Sequence, residues 1–414
     1  MPTLTDPLDL PCGVRLPNRI AKAALSEALG DADNSPDDRI VTLYRRWAQG
    51  GYGLLVTGNV MIDRDHLGEP GNIVIEDDRA LAQLTAWTKA AHDGGAVIFA
   101  QLNHPGRQSN LMEVGRKPVA PSAVPLALPG APTPRALTAA EIEDIIDRFG
   151  TAAAVCEEAG FDGVELHAAH GYLVAQFLSP LTNLRTDQWG GTPERRMRFL
   201  LEVVRRVRRR VRPGFAVAVK LNSADFQRGG FTEDESRAVV AALAGEAVDL
   251  IEVSGGNYES PAMGGSAAPS TRAREAYFVD YAHSVRREAG EVPIAVTGGF
   301  RSRTAMDDAL DAGDCDLVGI ARPTVTATDA AAALLDGRTA TVATHEIRAG
   351  VRPLLGRITD LKALDGFLNI SWNVDQMHRL ADGLEPDLSR GALVTALAML
   401  RRNGRVSLGP KRGL

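Results

Sequence analysis

Cysteine is scarce in this chain. Only Cys12, Cys156 and Cys315 occur among 414 residues, and no two of them stand in CxxC spacing. An odd, scattered set argues against a disulfide framework and against a four-thiolate zinc or iron–sulfur site. No apolar run reaches bilayer-spanning length, and the opening MPTLTDPLDLPCGVRLPN lacks the basic-then-apolar order of a secretory signal. A cytoplasmic location with no membrane partner is the expectation. An excess of positive charge is missing too: the formal net charge is −6, which gives no general attraction to nucleic acid or anionic lipid. The most basic stretch, ERRMRFLLEVVRRVRRRVR (194–212), sets Leu200, Val203, Val204, Val207 and Val211 at helical spacing with arginines on the other faces. That pattern is a solvated amphipathic helix. Short-period repeats and low-complexity tracts are also lacking.

What is present is an alternation. Short β-branched or apolar runs at 19–25, 53–58, 96–101, 162–167, 215–220, 248–253, 293–297 and 316–320 read as strands. Helical patterns follow at about 37–49, 77–93, 139–159, 193–211, 233–246, 278–289, 302–312 and 326–336. Thr138 with Glu141 and Thr232 with Glu235 fit capping boxes, and Thr192 before Pro193 reads as an N-cap with proline at the first helical position. Eight strand–helix units in succession predict an α/β fold, a closed (β/α)₈ TIM barrel, because parallel strands need crossover helices and two covered faces. An open doubly wound sheet would usually show a Gly-rich dinucleotide turn after its first strand, and RIAKAALSEALG has none. The proline-rich stretch 115–137 after the third strand is expected to be a lid or wall of a pocket. Residues 1–340 form the barrel in this reading. Residues 341–414 form a helical extension packed on it within the same domain, placed to cap its own pocket or a neighbour's, with Trp372 the residue of interest. A homo-oligomer is compatible with this layout.

In a barrel of this kind the active site lies at the C-terminal ends of the strands. Polar residues gather there: Ser26 and Glu27, Gly58 and Asn59, QLNHPGRQ (101–108), His167, Lys220 and Asn222, SGGNYE (254–259), TGGFRSR (297–303) and IARPT (320–324). Gly298 and Gly299 before a helix, with Arg322 after the eighth strand, suit a phosphate. A cofactor anchored there would lay its reactive ring across the mouth. Gln101 offers a donor and an acceptor to a heterocycle edge, and Lys220 a charge for a ring that becomes anionic on reduction. The stretch VELHAAHGYL (164–173) adds His167, His170 and Tyr172. As a zinc pair the histidines would call on His104 and Glu27, and Tyr172 would have no role. As two donors they would hold a carbonyl or nitro oxygen, with Tyr172 as proton donor.

The run FDGVELHAAHGYLVAQFLSPLTNLRTDQWGGTPERRMRFLLEVVRRVR (161–208) resembles the signature of the old yellow enzymes, FMN-dependent ene-reductases. LPNRIAKAALSE (16–27), QLNHPGRQ, APSAVP (120–125), TPRALTAAEIEDIIDRFGTAA (133–153), VKLNSADFQRGG (219–230) and IAVTGGFRS (294–302) are similar to it in the same order. The resemblance spans about residues 5 to 335. It implies a TIM barrel with non-covalent FMN, reduced by NADH or NADPH, that passes hydride to the β-carbon of an activated alkene (an enone, enal or nitroalkene). It further implies that His167 and His170 bind the substrate oxygen, that Tyr172 protonates the α-carbon, and that Gln101 pairs with the flavin pyrimidine edge. Gly58 would bring its backbone close to the ring, and Gly299 with the amides of Ala321 and Arg322 would hold the phosphate. Three positions depart from the family pattern: Ser26 replaces a threonine or cysteine near the flavin, Lys220 an arginine, and Ala321 a glycine. The large relatives with an iron–sulfur cluster are not expected to be the model here, and no metal is expected. The rival readings are a metal-dependent barrel hydrolase or lyase using His167 and His170, a flavin barrel acting on RNA, and a catalytically silent binding protein.

Overall fold

A computed structural model describes residues 2–109, 117–127, 131–256, 276, 278–348 and 361–403. The chain opens with a small antiparallel hairpin, β1 (Leu8–Asp9) and β2 (Arg15–Leu16). The barrel then begins with β3 (Ile20–Lys22), α1 (Asp38–Gln49), β4 (Leu54–Met61), α2 (Leu81–Asp93) and β5 (Val97–Asn103). Two short strands, β6 (Val119–Ala120) and β7 (Arg135–Ala136), precede α3 (Ala139–Glu158) and β8 (Gly163–Ala168). After these come α4 (Leu173–Leu178), α5 (Pro193–Arg210), β9 (Ala216–Asn222), α6 (Glu233–Ala244) and β10 (Leu250–Ser254). The last turns are α7 (Val279–Ala289), β11 (Ile294–Thr297), α8 (Arg303–Asp311), β12 (Leu317–Ile320), α9 (Pro323–Thr326) and α10 (Ala330–Leu335). Strands β3, β4, β5, β8, β9, β10, β11 and β12 close a parallel barrel in chain order, the (β/α)₈ architecture expected.

Each of the eight expected strands and helices is present, and the physical reasons hold locally. Both capping boxes form, with Thr138 and Thr232 each accepting from the backbone amide three residues on. Thr192 caps α5 ahead of Pro193. The arginines of α5 are tied to carboxylates of neighbouring elements: Arg196 to Glu235, Arg205 to Glu246, Arg208 to Asp249 and Arg206 to Asp147. The helix is amphipathic as its periodicity anticipated; the ion pairs were not anticipated, and Arg196 is buried and not solvated.

Strand alternation sorts the side chains into two cores. One set faces the helices: Leu55, Ile98, Val164, Leu166, Val217, Val219, Ile251, Val253, Val296 and Val318 are all buried there. The other faces the axis, where Ala21, Leu54, Val56, Phe99, Ala216, Ala218, Leu250, Ala295 and Leu317 fill the N-terminal half of the barrel. Leu8, Leu10 and Leu16 of the hairpin close that end. Burying one leucine there is worth roughly 1.5–3 kcal/mol. Moving up the strands by two residues replaces these apolar groups with polar ones, and the site begins at that level.

The proline-rich stretch is folded down as a wall. β6 pairs with β7 in parallel, Arg107 donates to the Pro125 carbonyl at 2.9 Å, and Arg185 donates to the carbonyls of Pro121 and Leu137. Residues 115–116 and 128–130 of that expectation lie outside the described residues, as do 257–259 of SGGNYE.

The extension contributes α11 (Leu361–Ala381) and α12 (Ala392–Asn403). It packs on α1 of its own chain: Arg39 Nε meets Asp382 Oδ1 at 2.7 Å, and Arg46 Nη1 donates to the Leu384 carbonyl at 2.6 Å. His378 Nε2 donates to the Glu27 and Ala28 carbonyls, each at 3.1 Å. Trp372 is fully buried inside the extension, stacks on His345 at 4.5 Å and donates from Nε1 to the Arg390 carbonyl. It holds the extension together.

Candidate active site

The polar level of the barrel carries Gln101 from β5, Glu165 from β8, Lys220 from β9 and Glu252 from β10, all buried. Gln101 Nε2 donates to Glu165 Oε1 at 2.6 Å, and Lys220 Nζ donates to Glu252 Oε1 at 2.5 Å. Two carboxyls and one ammonium share this layer. Burial and the Glu252 charge push the Glu165 carboxyl well above the usual carboxylate range. For Glu252, burial acts upward most strongly, but the Lys220 charge together with hydrogen bonds from Glu165, Lys220 and Thr297 outweighs it and holds the group down. Burial alone would lower Lys220, and the two carboxyls reverse this and raise it. The layer therefore holds one cation, one anion and one neutral acid.

One step higher, His167 ends β8 with its side chain inward and Ala169 N–H donating to its Nδ1 at 3.2 Å. That bond leaves the ring proton on Nε2. His170 takes a left-handed φ of 59°, which turns the chain sharply and brings its ring to 5.0 Å from that of His167. A non-glycine residue in that conformation costs roughly 1–2 kcal/mol. The backbone amide of His170 donates to Asn222 Oδ1 at 3.2 Å, which holds the turn. His170 Nε2 lies 2.8 Å from Ser254 Oγ; with the serine donating, the ring proton is on Nδ1. Burial, then neighbouring positive charge, lowers both histidines, His167 well below its ordinary range and His170 to about 3. Both rings are neutral, and each keeps one N–H.

Tyr172 completes the group, its ring 4.8 Å from that of His167 and its hydroxyl accepting a long bond of 3.5 Å from Asn59 Nδ2. The other end of the Asn59 amide accepts from Ser26 Oγ at 2.9 Å, so a single amide links Ser26 to Tyr172 across the mouth. Ser26 also hydrogen-bonds Glu69, whose carboxyl is raised to about 7 by burial and then by the Glu27 charge.

The remaining expected residues fall on the same rim with different roles. Gly58 sits where the β4–β5 register shifts, and its N–H donates to Glu27 Oε1 at 2.9 Å. A Cβ at Gly58 would stand 1.9 Å from Glu27 Oε2 and 2.5 Å from the Leu25 carbonyl oxygen, so the glycine is required by the close approach of both. Glu27 also accepts from Tyr44 and pairs with the buried Lys22 at 3.6 Å. Lys22 in turn lies 4.3 Å from the Trp47 ring centre. Glu27 thus belongs to a buried ionic cluster behind the site. Gly298 and Gly299, with φ of 143° and 88°, form the turn after β11, and half-buried Ala321 and Arg322 lie between β12 and α9.

The pair expected by a metal reading, His167 and His170, gathers no third ligand among the described residues. A cluster of Asp63, His66 and His104 brings one potential ligand atom from each residue within 4.8 Å. His104 Nδ1 accepts from the Gly106 amide at 3.1 Å, which leaves its proton on Nε2, and His66 Nδ1 meets Asp63 Oδ2 at 2.6 Å. These histidines are engaged in hydrogen bonds within the protein, and His104 lacks the free Nε2 lone pair a metal would need.

Glu165, Glu252 and Glu69 were not singled out from sequence as site members, while Asn59 and Ser254 were read as strand-end residues without an assigned role. The signal for two of them was present. In DGVELH and DLIEV a carboxylate stands inside an otherwise apolar strand, at the phase that faces the axis, two residues before His167 in the first case.

The sequence pattern of the family described as NADH:flavin oxidoreductase / NADH oxidase matches residues 3–340. The NADH-dependent flavin oxidoreductase iliE of Hypocrea jecorina is 39% identical over 341 residues, covering 77% of this chain and 85% of that protein. A protein of the same name from a Neonectria species is 38% identical over 346 residues, and there the match spans only 45% of the relative's length. Among solved structures, morphinone reductase in complex with tetrahydroNAD matches with a TM-score of 0.68 and 28% identity, covering 84% of this chain and 93% of that one.

Proposed function

The chain belongs to the NADH:flavin oxidoreductase / NADH oxidase family, the old yellow enzymes, and is an NAD(P)H-dependent FMN oxidoreductase; we propose that it reduces the C=C bond of an activated alkene. The observation that carries this reading is the buried histidine pair, its rings 5.0 Å apart, with the Tyr172 ring 4.8 Å from that of His167.

The donor set fits FMN. Gly298 and Gly299 in left-handed conformations, with Ala321 and Arg322 opposite, would hold the phosphate. Gln101, Lys220 and Ser26 would hold the ring, Gly58 lying behind Ser26. Bound FMN supplies a group that accepts hydride from NADH or NADPH and delivers it to the β-carbon. The rest falls to the protein. His167 Nε2–H and His170 Nδ1–H bind the carbonyl or nitro oxygen of the substrate, where negative charge grows as the β-carbon is reduced. Fixed donors of this kind contribute roughly 10²–10³ in rate each. Neutral rings suit the task because they donate without giving up a proton to the oxygen. The Tyr172 hydroxyl transfers its proton to the α-carbon, a step worth about 10²–10⁴. Asn59 Nδ2 then donates to the tyrosinate until solvent returns the proton.

Rapid-mixing kinetics test the assignment. In Tyr172→Phe, flavin bleaching by NADH should match wild type within about twofold, while recolouring by 2-cyclohexenone should slow by about 10²–10⁴. Equal rates in both half-reactions would remove Tyr172 from the mechanism. Failure of every enone and nitroalkene to recolour the reduced wild-type enzyme would end the alkene reading.

A further inference from the structure

α12 is built the wrong way out for a helix that lies on a monomer. Its inward face is Ala392, Thr395, Met399 and Arg402, of which Thr395 is fully buried. Its outward face is Leu393, Val394, Leu397 and Leu400, which are 74%, 47%, 58% and 54% exposed. An amphipathic helix normally buries its leucines and turns threonine and arginine to water. Leu384 and Leu388, just before the helix, are exposed as well. Together these six side chains present on the order of 650 Å². One partner in a stable homodimer buries ~800 Å², of which about 65% is apolar, so these side chains supply apolar area of the order such an interface needs.

The spacing says what covers it. Leu393, Leu397 and Leu400 lie four and three residues apart, so the stripe is nearly symmetric about Leu397. A two-fold axis through Leu397 sets an identical helix antiparallel to this one, places Leu397 against its own mate, and seats Leu393 against Leu400 of the other copy. An isologous interface demands this self-complementarity. We propose that the outward face of α12 docks on the same face of a second copy of this chain, antiparallel and centred on Leu397.

The test uses the FMN-loaded full chain. Light scattering on a sizing column at 1–50 µM should give twice the chain mass of 44.1 kDa. Leu397→Glu places two carboxylates on the axis and should weaken the dimer at least about 100-fold, leaving a yellow protein of monomer mass. Leu400→Glu should also give monomer, and combining it with Leu393→Lys should restore the dimer, because each lysine then faces a glutamate of the other copy. Leu397→Cys should form a dimer on a non-reducing gel, which keeps the proposal testable if the charged variants fail to fold. A wild-type monomer throughout this range would overturn the proposal, whatever else then covers the face. So would a Leu397→Glu dimer of undiminished affinity, or a Leu397→Cys chain that does not cross-link.

Discussion

The charge layer below the histidines makes a prediction sharper than any single substitution. Lys220 is buried with Glu252 at 2.5 Å, and Glu165 stands by as a neutral acid, held protonated by burial and by the charge on Glu252. Glu165→Gln replaces an already neutral carboxyl with a group of the same shape that still accepts from Gln101, so it should cost under about 1 kcal/mol. Glu252→Gln removes the nearest counter-charge, but it also removes the repulsion that keeps Glu165 protonated. Glu165 then ionises and takes over as the partner of Lys220. The expected loss is about 1–2 kcal/mol, well short of the 3–5 kcal/mol that follows when a buried charge is stranded. The double variant has no carboxyl left and should lose about 3–5 kcal/mol. The two changes should therefore couple by about 1–3 kcal/mol. Urea unfolding of the FMN-free protein followed by tryptophan fluorescence measures this, so that differences in FMN affinity do not enter the comparison. Additivity within about 0.5 kcal/mol, or a larger loss from Glu165→Gln than from Glu252→Gln, would refute the assignment of one anion and one neutral acid.

Two other outcomes follow from the same geometry. Gly58→Ala drives a methyl to 1.9 Å from Glu27 Oε2 and prises Glu27 from Lys22 and Tyr44; thermal unfolding should show a loss of about 2–4 kcal/mol, and an unchanged melting temperature would show that the carboxylate does not need this approach. His170 falls from its ordinary 6.5 to about 3 in the folded chain, so between those values the unfolded chain binds a proton that the folded one refuses. Stability should fall as the pH drops through that window, by up to about 1.4 kcal/mol per pH unit for one such group, and His170→Asn should flatten the slope between about pH 4 and 6. Identical slopes for the two proteins would mean that His170 is not held neutral.

Most of the barrel was legible because its strands and helices carry different periods. Runs such as FAVAVK and DLIEV read as strands buried on both faces, and the Thr-x-x-Glu boxes mark where two helices start. The histidines, the tyrosine and the glycine turn were legible because a barrel puts strand ends in one place. Trp372 was harder: an aromatic residue in a helical extension reads equally well as a pocket cap or a core anchor, and its burial against His345 is a matter of packing. Gly58 shows a similar limit, since a glycine after a strand can admit a ring or a carboxylate, and here Glu27 stands against it.

By itself, then, the sequence determined the order of strands and helices, the barrel they close into, and the residues that reach its mouth. Those properties depend on local period and on chain order. Only the tertiary structure decided which atoms hold protons and which charges are paired. Glu165 and Glu252 are chemically alike and 87 positions apart, and only closing β8, β9 and β10 side by side makes one an acid and the other an anion around Lys220. The histidines are neutral for the same reason: burial and the backbone bond to Nδ1 of His167 exist only once the β8 turn is formed.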